Sequence, residues 1–277
     1  MEKISLYIPV YNGSKYIAKT LEAVFLQTCP PDEVIVIDDG STDATLEQVR
    51  RFPVKVVLLK KRCGLAAARN AGFKAAKYEL VAALDADCVP NRKWLEYLIH
   101  AFRENNVAGV GGRLTEPNHK RSADAWRAVY LKQHYGKCEK EVPFIAGCNS
   151  LFRKKAVFDV GLYDESFITN HEDTDLSERI IAAGLKLKYI PSAQVIHIKR
   201  DSIMSVLKTC WHFRHRRVPQ NKTELALCII RDGIKGCLSL CSSVLFMRFR
   251  LLSVSFFYFF VQAYLSIKAF RMKTTQV

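Results

Sequence analysis

Short apolar runs closed by acid, glycine or proline alternate along the first third of the chain with stretches whose apolar positions recur every three or four residues. Residues 3–8, Glu33-Val-Ile-Val-Ile-Asp38, Val54–Leu59 and Leu80–Leu84 have the length and content of strands. The last is five apolar residues in a row, as in a strand buried on both faces. Between them, Ile17, Leu21, Val24 and Phe25 fall at helical spacing behind Ser14, a candidate cap, and Pro30-Pro31 ends that helix. Asp39-Gly-Ser-Thr-Asp43 is a turn leading into a second helix, and Gly64 opens a third, of small residues, that runs to Gly72. Strand and helix alternating through short loops predict an α/β domain with a mostly parallel central sheet and helices on both faces.

The pattern loosens beyond this point. Trp94–Glu104 reads as an amphipathic helix, Val107–Leu114 as a strand, and His119–Tyr135, with Trp126, Tyr130 and Tyr135, as a helix with an aromatic face. Asn149–Arg153 is a short strand, Asp173–Ala183 a helix stopped by Gly184, and Lys186–Ile190 and Gln194–Ile198 two further strands. After residue 220 the character changes. Leu225–Met247 is apolar but interrupted by Arg231, Asp232 and Lys235, whereas Leu251–Ile267 is apolar nearly all round, with basic residues on either side. A spanning helix needs about 17–25 such residues, so this last segment is at the lower limit. It is expected to contact a membrane, by spanning it or by lying in its interface; the alternative is a core hairpin packed on the globular part. The division expected is 1–220 for the globular domain, with halves of about 1–114 and 115–220, and 221–277 for a helical membrane-associating tail.

Charge sharpens the reading of the tail. Of a net +15, much lies after Ile198, where fourteen Lys or Arg residues face only Asp201, Glu224 and Asp232. Such an excess predicts an anionic partner, and its place in an apolar tail favours an anionic membrane surface over nucleic acid. Nine cysteines, with no Cys-x-x-Cys pair and no zinc-ligand spacing, speak against a disulfide framework and against a zinc site, and fit a reducing compartment. Ile4–Ile8 already reads as the first strand rather than a signal peptide, so the chain is expected at the cytoplasmic face of the cell membrane.

The chemistry gathers at strand ends. Asp85 and Asp87 sit where the strand Leu80–Leu84 leaves the sheet, on the side where ligands of open α/β sheets bind. They can converge on Mg²⁺ or Mn²⁺, although Asp-x-Asp is equally at home in a solvated loop. Arg69 follows a glycine-opened helix start, where N–H groups and a cation can face phosphate, or it is a surface arginine. Glu172 and Asp173 begin a helix, whose dipole keeps a carboxylate ionised.

Ile8-Pro-Val-Tyr-Asn12, Asp38-Asp-Gly-Ser-Thr-Asp43, Gly64 with Ala68-Arg-Asn-Ala-Gly72, Asp85-Ala-Asp87 and His171-Glu-Asp-Thr-Asp-Leu176 follow one another in that order. Together, over about residues 1–200, they resemble family 2 glycosyltransferases, inverting enzymes with the Rossmann-like GT-A nucleotide-sugar fold. The resemblance implies a donor site of Pro9, Tyr11, Asp39, Arg69, Asp85, Ala86 and Asp87, with Asp39 accepting a hydrogen bond from a uracil N–H. It implies a Mg²⁺ or Mn²⁺ ion on Asp87 and Asp85, with His197 completing the shell. Asp173 would be the base that deprotonates the acceptor hydroxyl, with Glu172 placing the acceptor. Gly147, Cys148 and Asn149 would line the acceptor pocket, and Trp126 could stack on a sugar or belong to the core. The chain departs from the processive synthases of the family in lacking Gln-x-x-Arg-Trp; Trp211-His-Phe-Arg-His-Arg-Arg217 stands there instead.

The function expected is therefore metal-dependent, inverting transfer of a single sugar, from a UDP-sugar by family habit, to a lipid-linked glycan in cell-surface polysaccharide or glycoconjugate synthesis. Transfer to polyprenyl phosphate is the alternative within the family. A non-catalytic nucleotide- or glycan-binding membrane scaffold is the alternative outside it.

Overall fold

The computed structural model describes residues 2–102, 104–116, 121–131, 133–167, 170–214, 221–245 and 251–274. Its contacts separate two compact units, Met1–Pro117 with Gln133–Lys199, and Asn118–Lys132 with Arg200–Val277.

The first unit is built on a nine-stranded sheet in the order β3-β2-β1-β4-β8-β6-β9-β5, with β7 (Lys140–Glu141) paired to β9. The strands β1 (Ile4–Val10), β2 (Glu33–Asp38), β3 (Lys55–Leu58) and β4 (Leu80–Leu84) form the parallel half. Side chains of β1 alternate between two cores, as a strand covered on both faces requires. Leu6 and Ile8 pack with Ile17, Leu21 and Val24 of helix α1 (Ile17–Phe25), while Tyr7 packs with Ile35, Ile37 and Phe73 on the other face. Helix α3 (Leu65–Ala75) closes down on that second face because Gly72 has no side chain; a Cβ there would lie 2.5 Å from the Tyr7 ring. Ser14 does not cap α1. Its hydroxyl donates to Asp43, and Gly13 supplies the carbonyl that receives the N–H groups of Tyr16 and Ile17.

The other half of the sheet is mixed. β8 (Asn149–Arg153) runs antiparallel between β4 and β6 (Val107–Thr115), and β9 pairs parallel with β6. The two strands expected at 186–190 and 194–198 are one, β9 (Lys186–His197). A register shift between Gly112 and Arg113 of β6 takes up Pro191–Ala193 as a bulge, and pairing resumes beyond it. A short strand not foreseen, β5 (Cys88–Pro90), runs antiparallel to the end of β9 and sets Cys88 opposite His197. Helix α4 (Trp94–His100) ends four residues short of the expected Glu104, and α7 (Glu172–Ala182) lies within a residue of expectation at each end.

The second unit is helical: α5 (Ser122–Tyr130), α8 (Ile203–Arg214), α9 (Lys222–Leu245) and α10 (Leu252–Thr274). The apolar faces of α5 and α8 join α10 in a single core of Trp126, Val206, Leu207, Val254, Tyr258 and Val261. The division therefore falls near residue 200 rather than 220, and α5 packs with the tail. A buried ion pair, Arg127 with Asp201, ties α5 to the segment entering α8. His119, Arg248, Arg250 and the end of the basic run at 215–217 lie outside the described residues.

Candidate active site

The carboxyl ends of β1 and β2 and the turn before α3 enclose a cavity of about 600 Å³ lined by Pro9, Tyr11, Asp39, Arg62, Gly64 and Asn170, among others. Asp39 is buried in its wall. One carboxylate oxygen accepts the Cys63 N–H at 2.6 Å and the other the Gly64 N–H at 2.9 Å. Each keeps a lone pair for a further donor. Gly64 sits at φ +97°, where a side chain would be strained, so the turn that delivers both N–H groups depends on glycine. The exposed Arg62 guanidinium lies 4.2 Å from the centre of the Tyr11 ring. That stack makes a flat wall beside the cavity, suited to a planar ring.

The acids after β4 diverge. Asp85 turns inward to the Arg69 guanidinium at 3.1 Å, and the Ala86 carbonyl accepts the Thr20 hydroxyl. Burial lifts the Asp85 pKa, an effect the Arg69 charge opposes and the Asp87 charge reinforces. Asp87 instead approaches His197, Oδ2 to Nε2 3.5 Å, and the other ring nitrogen of His197 meets Glu116 at 3.0 Å. Burial pulls the His197 pKa down, but the two flanking carboxylates outweigh it and raise it to about 10.

Among the described residues no three His, Cys, Asp or Glu side chains form a ready metal shell. Asp85, committed to Arg69, does not join Asp87 and His197. The donors present nevertheless fit Mg²⁺ or Mn²⁺, which take one or two protein ligands and complete their shell with phosphate oxygens and water. Glu116 on the far ring nitrogen is the carboxylate–histidine arrangement that orients a metal-ligating imidazole.

The third edge is the start of α7. Asn170 and His171, at φ 52° and 72°, are two successive left-handed non-glycine residues, strain that sharpens the turn into the helix. The turn separates the two acids that follow. Glu172 points inward, buried, with Oε1 3.5 Å from the Arg69 Nε. Burial raises its pKa to about 7, against the pull of the Arg69 charge and with a push from Asp173. Asp173 stays partly exposed, one oxygen receiving the Thr174 N–H at 2.8 Å and the other the Gly147 N–H at 3.3 Å. A partly exposed carboxylate at a helix N-terminus can take a proton from a bound hydroxyl, whereas Glu172 is 2% exposed.

The sequence matches the family model described as Glycosyl transferase family 2 over residues 5–161, more than half of the chain. The protein is a family 2 glycosyltransferase. It is 33% identical over 199 residues to Glycosyltransferase AglE of Haloferax volcanii, covering 67% of this chain and 64% of that one. It is 32% identical over 204 residues to a poly-β-1,6-N-acetyl-D-glucosamine synthase of Staphylococcus epidermidis, covering 70% and 49%. The chain thus spans between about half and two thirds of the length of these relatives. Its fold is that of GT-A glycosyltransferases, as in the mannosyltransferase PcManGT from Pyrobaculum calidifontis in complex with GDP-Man and Mn²⁺. That structure superposes with a TM-score of 0.57 at 19% identity, over 99% of this chain and 73% of the other.

Around this glycosyltransferase site the residues singled out from sequence separate. Pro9, Tyr11 and Asp39 share one cavity; Asp87 and His197 form a second cluster; Gly147 touches Asp173. Arg69 does not face an open phosphate site. It is 2% exposed and held between Asp85 and Glu172, because its position on α3 looks toward the sheet. Cys148 and Asn149 are core residues, the Asn149 side chain accepting the Trp94 Nε1–H at 2.7 Å and donating to the Ala193 carbonyl. Trp126 is buried in the helical unit against Tyr130 and Tyr258. Two residues of these clusters, Arg62 and Glu116, are not among those singled out from sequence. Arg62 had a signal, closing the basic run Lys60-Lys-Arg62 before Gly64; Glu116 had none.

Proposed function

We propose that the protein is a metal-dependent inverting glycosyltransferase that moves one sugar from a nucleotide-sugar, a UDP-sugar, to a glycan carried on a membrane lipid. One observation carries the reading: Asp173, partly exposed, is held by the Gly147 and Thr174 N–H groups in a fixed orientation, as a base must be. The nucleotide base would lie in the cavity against Tyr11 and Arg62, with Asp39 accepting its N–H. Asp87 and His197 would hold Mg²⁺ or Mn²⁺, with Glu116 fixing the imidazole. The ion, when bound, supplies charge neutralisation to the leaving diphosphate. Asp173 takes the proton of the acceptor hydroxyl as that oxygen attacks the anomeric carbon opposite the leaving group, which inverts the configuration. Arg69, neutralising Asp85 and Glu172 from beneath, keeps the loops that carry Asp87 and Asp173 in register. The absence of Gln-x-x-Arg-Trp supports single transfer over processive synthesis, and the basic, apolar tail supports a membrane acceptor.

The test offers a panel of nucleotide-sugars to the purified chain in detergent, with Mn²⁺, Mg²⁺ or EDTA, with and without a lipid extract. Free nucleoside diphosphate is measured. Lipid-dependent, EDTA-sensitive release from one donor is expected. Donor binding without release under any condition overturns the reading in favour of a binding protein.

A further inference from the structure

Helix α9 is built inside out. Its buried positions are Asp232, Gly236, Ser239 and Ser243, which recur at helical spacing on one side. Its exposed large apolar side chains are Leu227, Ile230, Ile234, Leu238 and Leu245, each 58–76% exposed and recurring on the other. A helix on a water-facing surface has the opposite arrangement. α10 is mixed: Ser255, Gln262 and Ser266 are buried beside the core residues Val254, Tyr258 and Val261, while Phe256, Phe257, Phe260 and Tyr264 stand out, 48–62% exposed.

The polar atoms are used between elements of the unit. Ser239 and Ser255 share a hydrogen bond at 2.7 Å, the Trp211 Nε1–H donates to Ser266 at 2.9 Å, and Gln262 donates to the Leu207 carbonyl at 2.7 Å. Gly233 and Gly236 let the Phe259 side chain lie against α9: a Cβ at Gly233 would come 3.3 Å from its ring and one at Gly236 3.3 Å from its Cβ. Small residues and hydroxyls at the seam with apolar side chains outward are how helices pack where lipid is the solvent. Among the described residues, α10 is the one helix with the length and composition to cross a membrane.

The pairing decides how the hairpin sits. Ser243 and Ser239 meet Ser255, and Gly236 and Gly233 meet Phe259, so α9 and α10 run antiparallel in a fixed register. That register brings Arg231 and Lys235, exposed on α9, level with the middle of α10. If α10 crossed the bilayer, both cations would lie near its centre, where charge is most costly. Lying flat, α9 carries both cations along one edge of its apolar stripe, where they reach the headgroups.

We infer that α9 is an in-plane anchor: it lies in the interface of an anionic bilayer with its apolar stripe down and α10 packed on its other side, and it does not cross the bilayer. The inference rests on the membrane part of the proposed function and is independent of the transfer chemistry. Positive charge beside the apolar stripe selects an acidic lipid surface over a second copy of this chain, whose tail carries the same sign of charge.

Its test uses the full chain with Cys237→Ala and Cys241→Ala, carrying either Lys235→Cys or Leu238→Cys, and a charged, membrane-impermeant maleimide, with labelling read at position 235 or 238 by peptide mass spectrometry because Cys63 and Cys138 are exposed as well. Without lipid both thiols should label. Vesicles of phosphatidylcholine with phosphatidylglycerol should abolish labelling at 238 and leave it at 235, whereas phosphatidylcholine alone at high salt should protect neither. Loss of labelling at both positions on vesicles means that α9 spans, and overturns the inference. Protection at 238 before lipid is added means that a second copy covers the face; no protection on vesicles means that the face stays in water. Either also overturns it. Flotation of the unsubstituted chain with the acidic vesicles checks that the substitutions have not altered binding, and nucleotide-sugar binding, measured alongside, separates a failed anchor from a failed enzyme.

Discussion

Arg69 and Glu172 face each other inside the protein, Nε to Oε1 3.5 Å, each side chain only 3% exposed. The same guanidinium holds Asp85 on its other edge, so one buried cation joins the end of β4 to the start of α7. The protein has thereby enclosed a titratable group whose pH dependence can be worked out.

Burial holds the Glu172 pKa near 7, against an ordinary 4.5, with Arg69 pulling down and Asp173 pushing up. Between those values the folded state binds more protons than the unfolded state, so stability falls as pH rises through that window. Glu172→Gln should remove this slope. The full shift corresponds to about 3 kcal/mol, an upper figure for the difference. Urea midpoints at pH 5 and pH 7.5 check it: the wild type should lose stability at the higher pH, and the variant should lose much less.

Asp173→Asn keeps an oxygen for the Gly147 N–H but cannot accept a proton. Turnover should fall by about 10²- to 10⁴-fold while nucleotide-sugar affinity measured by calorimetry stays within about twofold. Retained turnover would mean that the nucleophile arrives already ionised, as a polyprenyl phosphate does.

Glu116→Gln leaves both candidate metal ligands in place and removes the carboxylate that orients His197. Mn²⁺ affinity in the presence of nucleoside diphosphate, read by electron paramagnetic resonance, should weaken about 10- to 100-fold. An unchanged affinity would leave Glu116 as packing only.

Gly147→Ala places a methyl group 2.0 Å from the Arg69 Nη1. The arginine is clamped by two carboxylates and cannot retreat, so overpacking of about 1–3 kcal/mol is expected, read as a lowered thermal midpoint. Nucleotide-sugar transfer should fall with it, because the Gly147 N–H that aims Asp173 shifts as well.

The parallel half of the sheet was legible because strands such as Val34–Ile37 and Leu80–Leu84 are covered on both faces and hence continuously apolar. The Pro9–Tyr11–Asp39 cavity was legible because its residues stand at consecutive strand ends, where topology alone brings them together. The fate of Arg69 was not. Among the small residues of α3 an arginine reads as surface, yet Ala66, Ala68, Asn70 and Gly72 are buried too, and only its two distant carboxylates make its burial tolerable. Glu116 meets its partner 81 residues away, after a bulged pairing that no periodicity encodes. β5 is three residues long, too short for any pattern. The break read at Pro191 was real as a bulge but not as a strand end.

The pairing of β5 with β9 also imposes an order of assembly during synthesis. Strands β1 to β4, Asp39 and Asp87 emerge together and pair in parallel among themselves, whereas β8, β6 and β9 must come from farther along to complete the other edge. His197, the last residue of β9, reaches Asp87 across 110 positions of chain, and Ile198 then donates its N–H to the Asp87 carbonyl. A nascent chain therefore brings Pro9, Tyr11 and Asp39 together at neighbouring strand ends before His197 can reach Asp87, and that contact closes only when the first unit is complete.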